Sequence, residues 1–100
     1  MFVHTVYFWM TPEATVADRD QIVADCRTLL MQVPTVRTLY AGIAANTPRD
    51  VVDNSYAVGL TVLFDDKAGY DVYETDPFHL QFIERNKATW TRVVVYDTLS

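Results

Sequence analysis

Apolar positions recur along the chain with two different periods, and these periods separate predicted strands from predicted helices. Strands are predicted where apolar residues alternate or form short β-branched runs, over residues 2–10, about 36–45, 56–64 and 92–98. Helices are predicted where apolar residues recur every three or four positions, over about 15–32, 65–73 and 76–87. With the two short helices forming one connection, the order strand, helix, strand, strand, helix, strand matches the split βαβ, ferredoxin-like motif. We therefore predict an α+β fold in which helices pack on one face of an antiparallel sheet.

Two apolar surfaces are expected to form the core. The third strand has the cleanest alternation and presents five residues on one face: Tyr56, Val58, Leu60, Val62 and Phe64. The first helix presents one stripe of six residues: Ile22, Val23, Cys26, Leu29, Leu30 and Val33. Packing of this stripe against this strand face would bury both.

The first strand is apolar on both faces. Phe2, His4, Val6 and Phe8 lie on one face, and a set containing Tyr7 lies on the other. Helices on one side of the sheet can cover only one of these faces, and the other would remain a large exposed apolar patch. A second copy of the chain is the economical cover, so we predict a two-fold homodimer.

Composition narrows the functional classes. One hundred residues, half of them hydrophobic, predict a single domain spanning residues 1–100. The formal net charge is −5 and no two of the eight lysines and arginines are adjacent, which argues against a nucleic-acid partner. The single cysteine, Cys26, allows no intrachain disulfide, and the chain has no zinc-type spacing. No signal peptide and no membrane-length apolar run is visible, so we expect a soluble cytoplasmic protein with no membrane partner.

The segment from Tyr73 to His79 carries the most specific chemistry. Asp76 can cap a helix that begins at Pro77, which sets His79 on the first helical turn. There the positive end of the helix dipole disfavours imidazolium, and a neutral imidazole beside the phenol of Tyr73 is a plausible proton-transfer pair. The alternative is that both residues are partly buried helix residues with satisfied polar tips.

With these elements in place, the chain resembles the Dabb family, the stress-responsive dimeric α/β-barrel domains. The resemblance spans nearly the whole chain and rests on four segments: Val3-His4-Thr5-Val6, Val33-Pro34-Thr35-Val36, Tyr73 followed by Asp76-Pro77-Phe78-His79, and Val95-Tyr96-Asp97. It implies a ferredoxin-like protomer whose sheet pairs with a second sheet to form a barrel with the helices outside.

One branch of that family, similar to plant olivetolic acid cyclase, performs cofactor-free aldol cyclisation of a polyketide thioester. The resemblance implies that Tyr73 and His79 are the working groups and that His4 lines the same cavity. Two positions depart from that branch, because Asp76 and Val58 stand where the cyclase has histidines. We therefore expect a related pocket with a different substrate.

The predicted faces place other residues around the two histidines. His4 and His79 would share the space between sheet and helices with an apolar set: Val6, Phe8, Leu60, Val62, Phe82 and Trp90. Asp97 has the strand parity of Val93 and Val95 and could orient an imidazole on the adjacent first strand. A mostly apolar cavity with a few convergent polar groups is typical of a small-molecule site.

Three functions follow from this reasoning. In a cofactor-free cyclase or isomerase, His79 would abstract a proton α to a carbonyl and Tyr73 would donate a hydrogen bond to the developing oxyanion. In a non-catalytic stress-responsive module, the cavity would bind a small apolar or polyketide-like ligand without proton transfer. In a dimeric-barrel monooxygenase, also cofactor-free, oxygen would be consumed with an electron-rich phenol or quinol. Only three glycines are present and none forms a phosphate-binding loop, so no flavin, haem or nucleotide cofactor is predicted.

Overall fold

The computed structural model describes all residues, Met1–Ser100. Its strands are β1 (Phe2–Met10), β2 (Thr38–Ile43), β3 (Val58–Phe64) and β4 (Trp90–Leu99). Its helices are α1 (Val16–Thr28), α2 (Lys67–Thr75) and α3 (Pro77–Asn86), with single 3-10 turns at Leu30–Gln32 and Lys87–Thr89. The strands form one antiparallel sheet in the order β2-β3-β1-β4. The predicted ferredoxin-like α+β fold is confirmed.

Each helix begins at a side-chain cap that the sequence predicts. Thr15 and Asp18 form a reciprocal capping box at the start of α1. Asp66 caps α2, and Asp76 accepts a hydrogen bond from the backbone N–H of Phe78 at the start of α3. Because Asp76 also ends α2, the two short helices meet at a sharp junction with no intervening loop.

The core lies between α1 and the middle of the sheet. The helix stripe and the third-strand face meet there as predicted, and six of their residues are completely enclosed: Ile22, Cys26, Leu30, Val58, Val62 and Phe64. Burial raises the pKa of the Cys26 thiol to about 12, so this thiol stays protonated and packs as a small apolar side chain.

The prediction for Tyr56 is wrong. It was expected on the core face with Val58, but β3 begins only at Val58 and the Tyr56 ring packs 4.8 Å from the Tyr7 ring on the opposite face. Gly59 makes this placement favourable, since a Cβ there would lie 3.4 Å from the Tyr56 ring and 3.5 Å from the Tyr7 ring. The missing side chain therefore leaves room for two aromatic rings.

The ends of α1 and β2, among others, also differ from those predicted. α1 ends at Thr28 instead of continuing to Gln32, because the chain tightens into a 3-10 turn ahead of Pro34. β2 is shorter than predicted, covering Thr38–Ile43 instead of residues 36–45. Neither change alters which residues face the core.

The two neighbours of β1 differ in how well they are covered. On the β3 side, helix α1 packs over the strand and its inward residues are buried. On the β4 side, Val93 and Val95 have the same inward parity but remain 40% and 45% exposed. A gap therefore lies between the inner face of β4 and the short helices α2 and α3.

The outer face of the sheet carries no helix and is rich in aromatic residues. Tyr40 and Tyr96 are exposed there, and the Trp9 ring lies under the Arg92 guanidinium at 4.4 Å. No helix in the structure is both long and apolar enough to cross a membrane.

Candidate functional site

A cavity of about 320 Å³ occupies the gap between the sheet and helices α2 and α3. Most of its wall is apolar, with polar groups gathered at one end, as in small-molecule sites. Its lining residues are His4, Val6, Phe8, Leu60, Tyr70, Tyr73, Glu74, His79, Phe82, Ile83, Trp90, Val93 and Val95.

His4 is held by a carboxylate from the neighbouring strand. It pairs with Asp97 across the β1–β4 ladder, and its Nδ1 lies 2.6 Å from Asp97 Oδ1. Since the carboxylate can only accept, His4 donates through Nδ1 and turns its other nitrogen away from Asp97. The structure therefore contains the contact that strand parity predicts, and it fixes the orientation of a buried imidazole.

His79 is held by a backbone carbonyl instead. Its Nδ1 lies 3.0 Å from the carbonyl oxygen of Glu74 at the end of α2. A carbonyl oxygen only accepts hydrogen bonds, so Nδ1 carries the proton and the neutral ring has its lone pair on Nε2. Burial, with a smaller contribution from His4, lowers the pKa of His79 below 6.5. His79 is therefore a neutral imidazole with a free basic nitrogen in the cavity wall.

Tyr73 lies directly beside His79. The centroids of the two rings are 4.3 Å apart, and the Tyr73 ring is also 5.7 Å from that of His4. Burial raises the pKa of Tyr73 well above its usual value, so its phenol remains protonated and can donate a hydrogen bond. The Tyr73 hydroxyl makes no hydrogen bond to another protein group. Since every fully buried polar side-chain atom has a partner, this hydroxyl oxygen is not itself fully buried.

The predicted site residues fall into three groups. Both predicted catalytic residues line the cavity, together with His4 and five of the predicted apolar residues: Val6, Phe8, Leu60, Phe82 and Trp90. Asp97 does not line the cavity and acts on it only through His4. The prediction for Val62 is wrong, since this residue is fully enclosed in the core on the covered side of β1.

Tyr70, Glu74 and Ile83 also line the cavity but were not predicted. Helical spacing could have found them, because Tyr70 lies three residues before Tyr73 and four before Glu74 on α2, and Ile83 lies four residues after His79 on α3. The Tyr70 ring stacks on Phe2 at 4.6 Å and lies 5.0 Å from that of His4. Burial and the adjacent Glu74 carboxylate raise the pKa of Tyr70, so it too remains a neutral phenol.

The opposite end of the cavity is aromatic. The rings of Phe8 and Trp90 are 5.0 Å apart, and Phe82 lies about equally far from both, at 6.1 and 6.0 Å. The cavity thus offers a basic nitrogen and neutral phenols at one end and an apolar wall at the other. Nowhere does the structure gather three histidine, cysteine or acidic side chains as a metal site would need.

A family model described as Dabb, stress responsive A/B barrel domain, matches residues 2–99. No curated protein sequence matches the chain significantly. Comparison with solved structures, in contrast, gives many matches that cover nearly the whole chain.

Three solved structures illustrate these matches. A Dabb family protein with a ferredoxin-like fold from Mesorhizobium loti is 21% identical, with a TM-score of 0.79 over 99% of this chain and 95% of its own. A dimeric ferredoxin-like protein of unknown function from Thermobifida fusca is 14% identical, with a TM-score of 0.83 over 97% of this chain and 88% of its own. A hydroxynitrile lyase from Passiflora edulis is 18% identical, with a TM-score of 0.82 over 97% of this chain and 90% of its own. At these identities the likeness establishes the fold alone.

Proposed function

Because the chain belongs to the Dabb family of stress-responsive A/B barrel domains, we propose that its cavity binds a small carbonyl compound and catalyses cofactor-free proton transfer. The reaction class is cyclisation or isomerisation through an enolate. The observation that carries the proposal is the hydrogen bond from His79 Nδ1 to the Glu74 carbonyl, which leaves Nε2 basic beside a neutral phenol.

His79 is the proposed general base. Nε2 takes a proton from the carbon next to the carbonyl, the C–H electron pair forms a carbon–carbon double bond, and the carbonyl π pair moves to the oxygen to give an enolate. The lowered pKa of His79 keeps the base unprotonated at neutral pH. In cyclisation the enolate carbon then attacks a second carbonyl of the same molecule, and the resulting alkoxide takes the proton back from His79. In isomerisation His79 returns the proton to another position of the enolate.

Tyr73 is the proposed hydrogen-bond donor to the enolate oxygen. Its raised pKa keeps the proton on the phenol, and its position beside His79 allows base and donor to act on adjacent substrate atoms. His4 is a positioning residue at the same end of the cavity, and Asp97 holds its ring in place.

The hydroxynitrile lyase among the structural neighbours supports an enzymatic use of this fold on small molecules. A carbonyl chemistry is favoured here because the cavity combines one base with neutral donors, which is what enolate formation requires. A binding module would need the cavity but neither proton-transfer group, so the two functions separate experimentally.

The experiment is hydrogen–deuterium exchange at the methyl group of para-butylacetophenone in heavy water, followed by NMR. This ketone has enolisable protons and an apolar body, and the exchange reports proton abstraction whatever the natural substrate. We expect the protein to accelerate exchange, and we expect His79→Ala to slow it by about 10²–10⁴-fold. Tyr73→Phe removes only the donor and is expected to slow exchange while leaving binding of the ketone unchanged.

Gln81→Ala is the matched control, since Gln81 is exposed on α3 and does not line the cavity. It is expected to retain the full exchange rate. Binding of the ketone without any acceleration above buffer, or equal rates in the wild type and His79→Ala, would reject catalysis and leave a binding module.

We also propose that the chain forms a homodimer through the outer face of its sheet. This aromatic face has no cover within the protomer, and neighbours of the same fold are described as dimeric. Sedimentation should show dimers for the wild type and monomers for Thr61→Arg, which places a charge at the middle of that face. Thr28→Arg, on the exposed surface of α1, should remain dimeric.

A further inference from the structure

The cavity is strongly asymmetric in polarity. His4 and Phe8 both line it from β1, four residues apart, so the polar and aromatic ends are separated by about 13 Å. The polar end presents neutral or basic groups, namely His79, Tyr70 and Tyr73. A ligand that fits therefore has a hydrogen-bonding head and an apolar body.

The charges around the polar end are of one sign. Glu74 is exposed at the rim of the cavity, close enough to Tyr70 to raise the pKa of its phenol. Asp97 pairs with His4 at 2.6 Å, so even a protonated His4 adds no net positive charge there. The lowered pKa of His79 keeps that ring neutral as well.

No lysine or arginine lines the cavity. The cations on the elements that form it are turned elsewhere. Lys67 of α2 pairs with Asp71, Arg85 of α3 reaches Asp25 on α1, Lys87 pairs with Glu84, and Arg92 of β4 stacks over Trp9 on the outer face. An anionic ligand would therefore enter without a counter-ion and would meet the Glu74 carboxylate.

We infer that the cavity selects uncharged carbonyl compounds with an apolar body and that Glu74 rejects their carboxylate and phosphate analogues. The inference rests on the proposed function, since it assigns the charge of the substrate for that same cavity. The Glu74 carboxylate and the anionic head of a bound ligand would repel each other across the rim of the cavity. At the effective dielectric of a protein surface this repulsion is enough to weaken binding by about tenfold.

The test compares two probes of nearly the same shape, para-butylacetophenone and para-butylbenzoate, by isothermal titration at neutral pH. The ketone is expected to bind about tenfold or more tightly than the carboxylate. Glu74→Gln should tighten binding of the benzoate by about tenfold and change binding of the ketone by less than about twofold. Because Glu74 is exposed, high salt should also narrow the difference between the probes in the wild type.

Glu84→Gln is the matched control, since Glu84 is an exposed glutamate of α3 outside the cavity. It should leave both affinities unchanged. Equal affinities for ketone and benzoate, failure of the ketone to bind, or a difference that survives Glu74→Gln would overturn the inference. Tight, charge-selective binding of the ketone without proton exchange would uphold it while rejecting the catalytic proposal, so the two failures are distinguishable.

Discussion

The two strands that flank β1 contribute to the same inward face of the sheet, but they differ in how far their inward residues are buried. Val62 on β3 lies opposite His4 and is completely enclosed, whereas Val95 on β4 lies opposite Val6 and is 45% exposed. Both are valines on inward strand positions. The difference comes from the helices, because α1 packs over β3 while the short helices α2 and α3 stop short of β4.

This asymmetry separates stability from binding. The covered flank buries its apolar surface within the protomer, which supplies most of the hydrophobic stabilisation. The open flank leaves apolar wall in contact with solvent, which is a cost in the free protein and a source of affinity once a ligand covers it. Both flanks share β1, so the cavity is built on a strand that is hydrogen-bonded along both edges.

Replacing the two valines by alanine would measure this separation directly. Val62→Ala removes enclosed methyl groups and leaves a void, so we expect the free energy of unfolding to fall by about 2 kcal/mol. Val95→Ala removes partly solvated methyl groups and should cost less than about 0.5 kcal/mol. Urea denaturation of both variants at one protein concentration gives the comparison.

Ligand binding should show the reverse order. Val95→Ala should weaken binding of para-butylacetophenone because Val95 lines the cavity, and Val62→Ala should leave it nearly unchanged. Equal losses of stability from the two substitutions would contradict the division into a covered and an open flank.

The next largest effect is expected at the contact that joins the two flanks. Asp25 on α1 is buried and accepts hydrogen bonds from Arg85 Nε at 2.8 Å and Asn86 Nδ2 at 2.9 Å, both on α3. Asp25→Ala leaves a buried amide with one partner fewer, while the half-exposed arginine can turn to water. We expect a loss of about 1–2 kcal/mol in the free energy of unfolding.

Asp20→Ala is the control for this prediction, since Asp20 is exposed on the same helix and pairs only with its neighbour Arg19. It should change stability by less than about 0.5 kcal/mol. A similar loss from both substitutions would show that the buried network adds nothing beyond a surface ion pair.

Periodicity predicted most of the fold but not this contact. The apolar stripe of α1 and the alternation of β3 could be predicted from the sequence because buried positions recur at fixed spacing and are occupied by apolar residues. Asp25 sits beside Cys26 in that stripe and gives no local sign that it is buried, because its partners lie about sixty residues away. A charged residue such as Asp25 is therefore predicted to be exposed to solvent unless its partner is known.

Part of the candidate site could also be predicted from the spacing of residues within the predicted elements. His79, Tyr73 and His4 stood out as chemical groups at predictable element positions, and strand parity located Asp97 opposite His4. The predictions for Val62 and Tyr56 were wrong because periodicity predicts which face of the sheet a residue lies on and does not predict what packs against that face. Whether an inward residue lines a cavity depends on how far the helices extend over the sheet. A glycine such as Gly59 also leaves room for an aromatic ring on the outer face.

The smallest expected effect concerns the titration of His79 on the open flank. Burial lowers its pKa in the folded protein below the ordinary 6.5, so the unfolded chain binds this proton more readily. The stabilisation from keeping His79 neutral is therefore fully present above 6.5 and is lost as the pH falls through the lowered value. His79→Gln removes the titrating group, so the difference in unfolding free energy between wild type and variant should shrink toward acid between about pH 8 and pH 5.

Urea denaturation of both proteins across that range measures this difference, and subtraction cancels the titration of groups that both proteins retain. Proton exchange into para-butylacetophenone should follow the same group, with a constant rate above 6.5 and a fall only at lower pH. A difference that stays constant would mean that His79 is as solvated as in the unfolded chain, and one that grows toward acid would mean that folding stabilises the imidazolium. In the first case the open flank would expose its base to water, and the contrast with the enclosed β3 flank would extend to its polar groups as well as its valines.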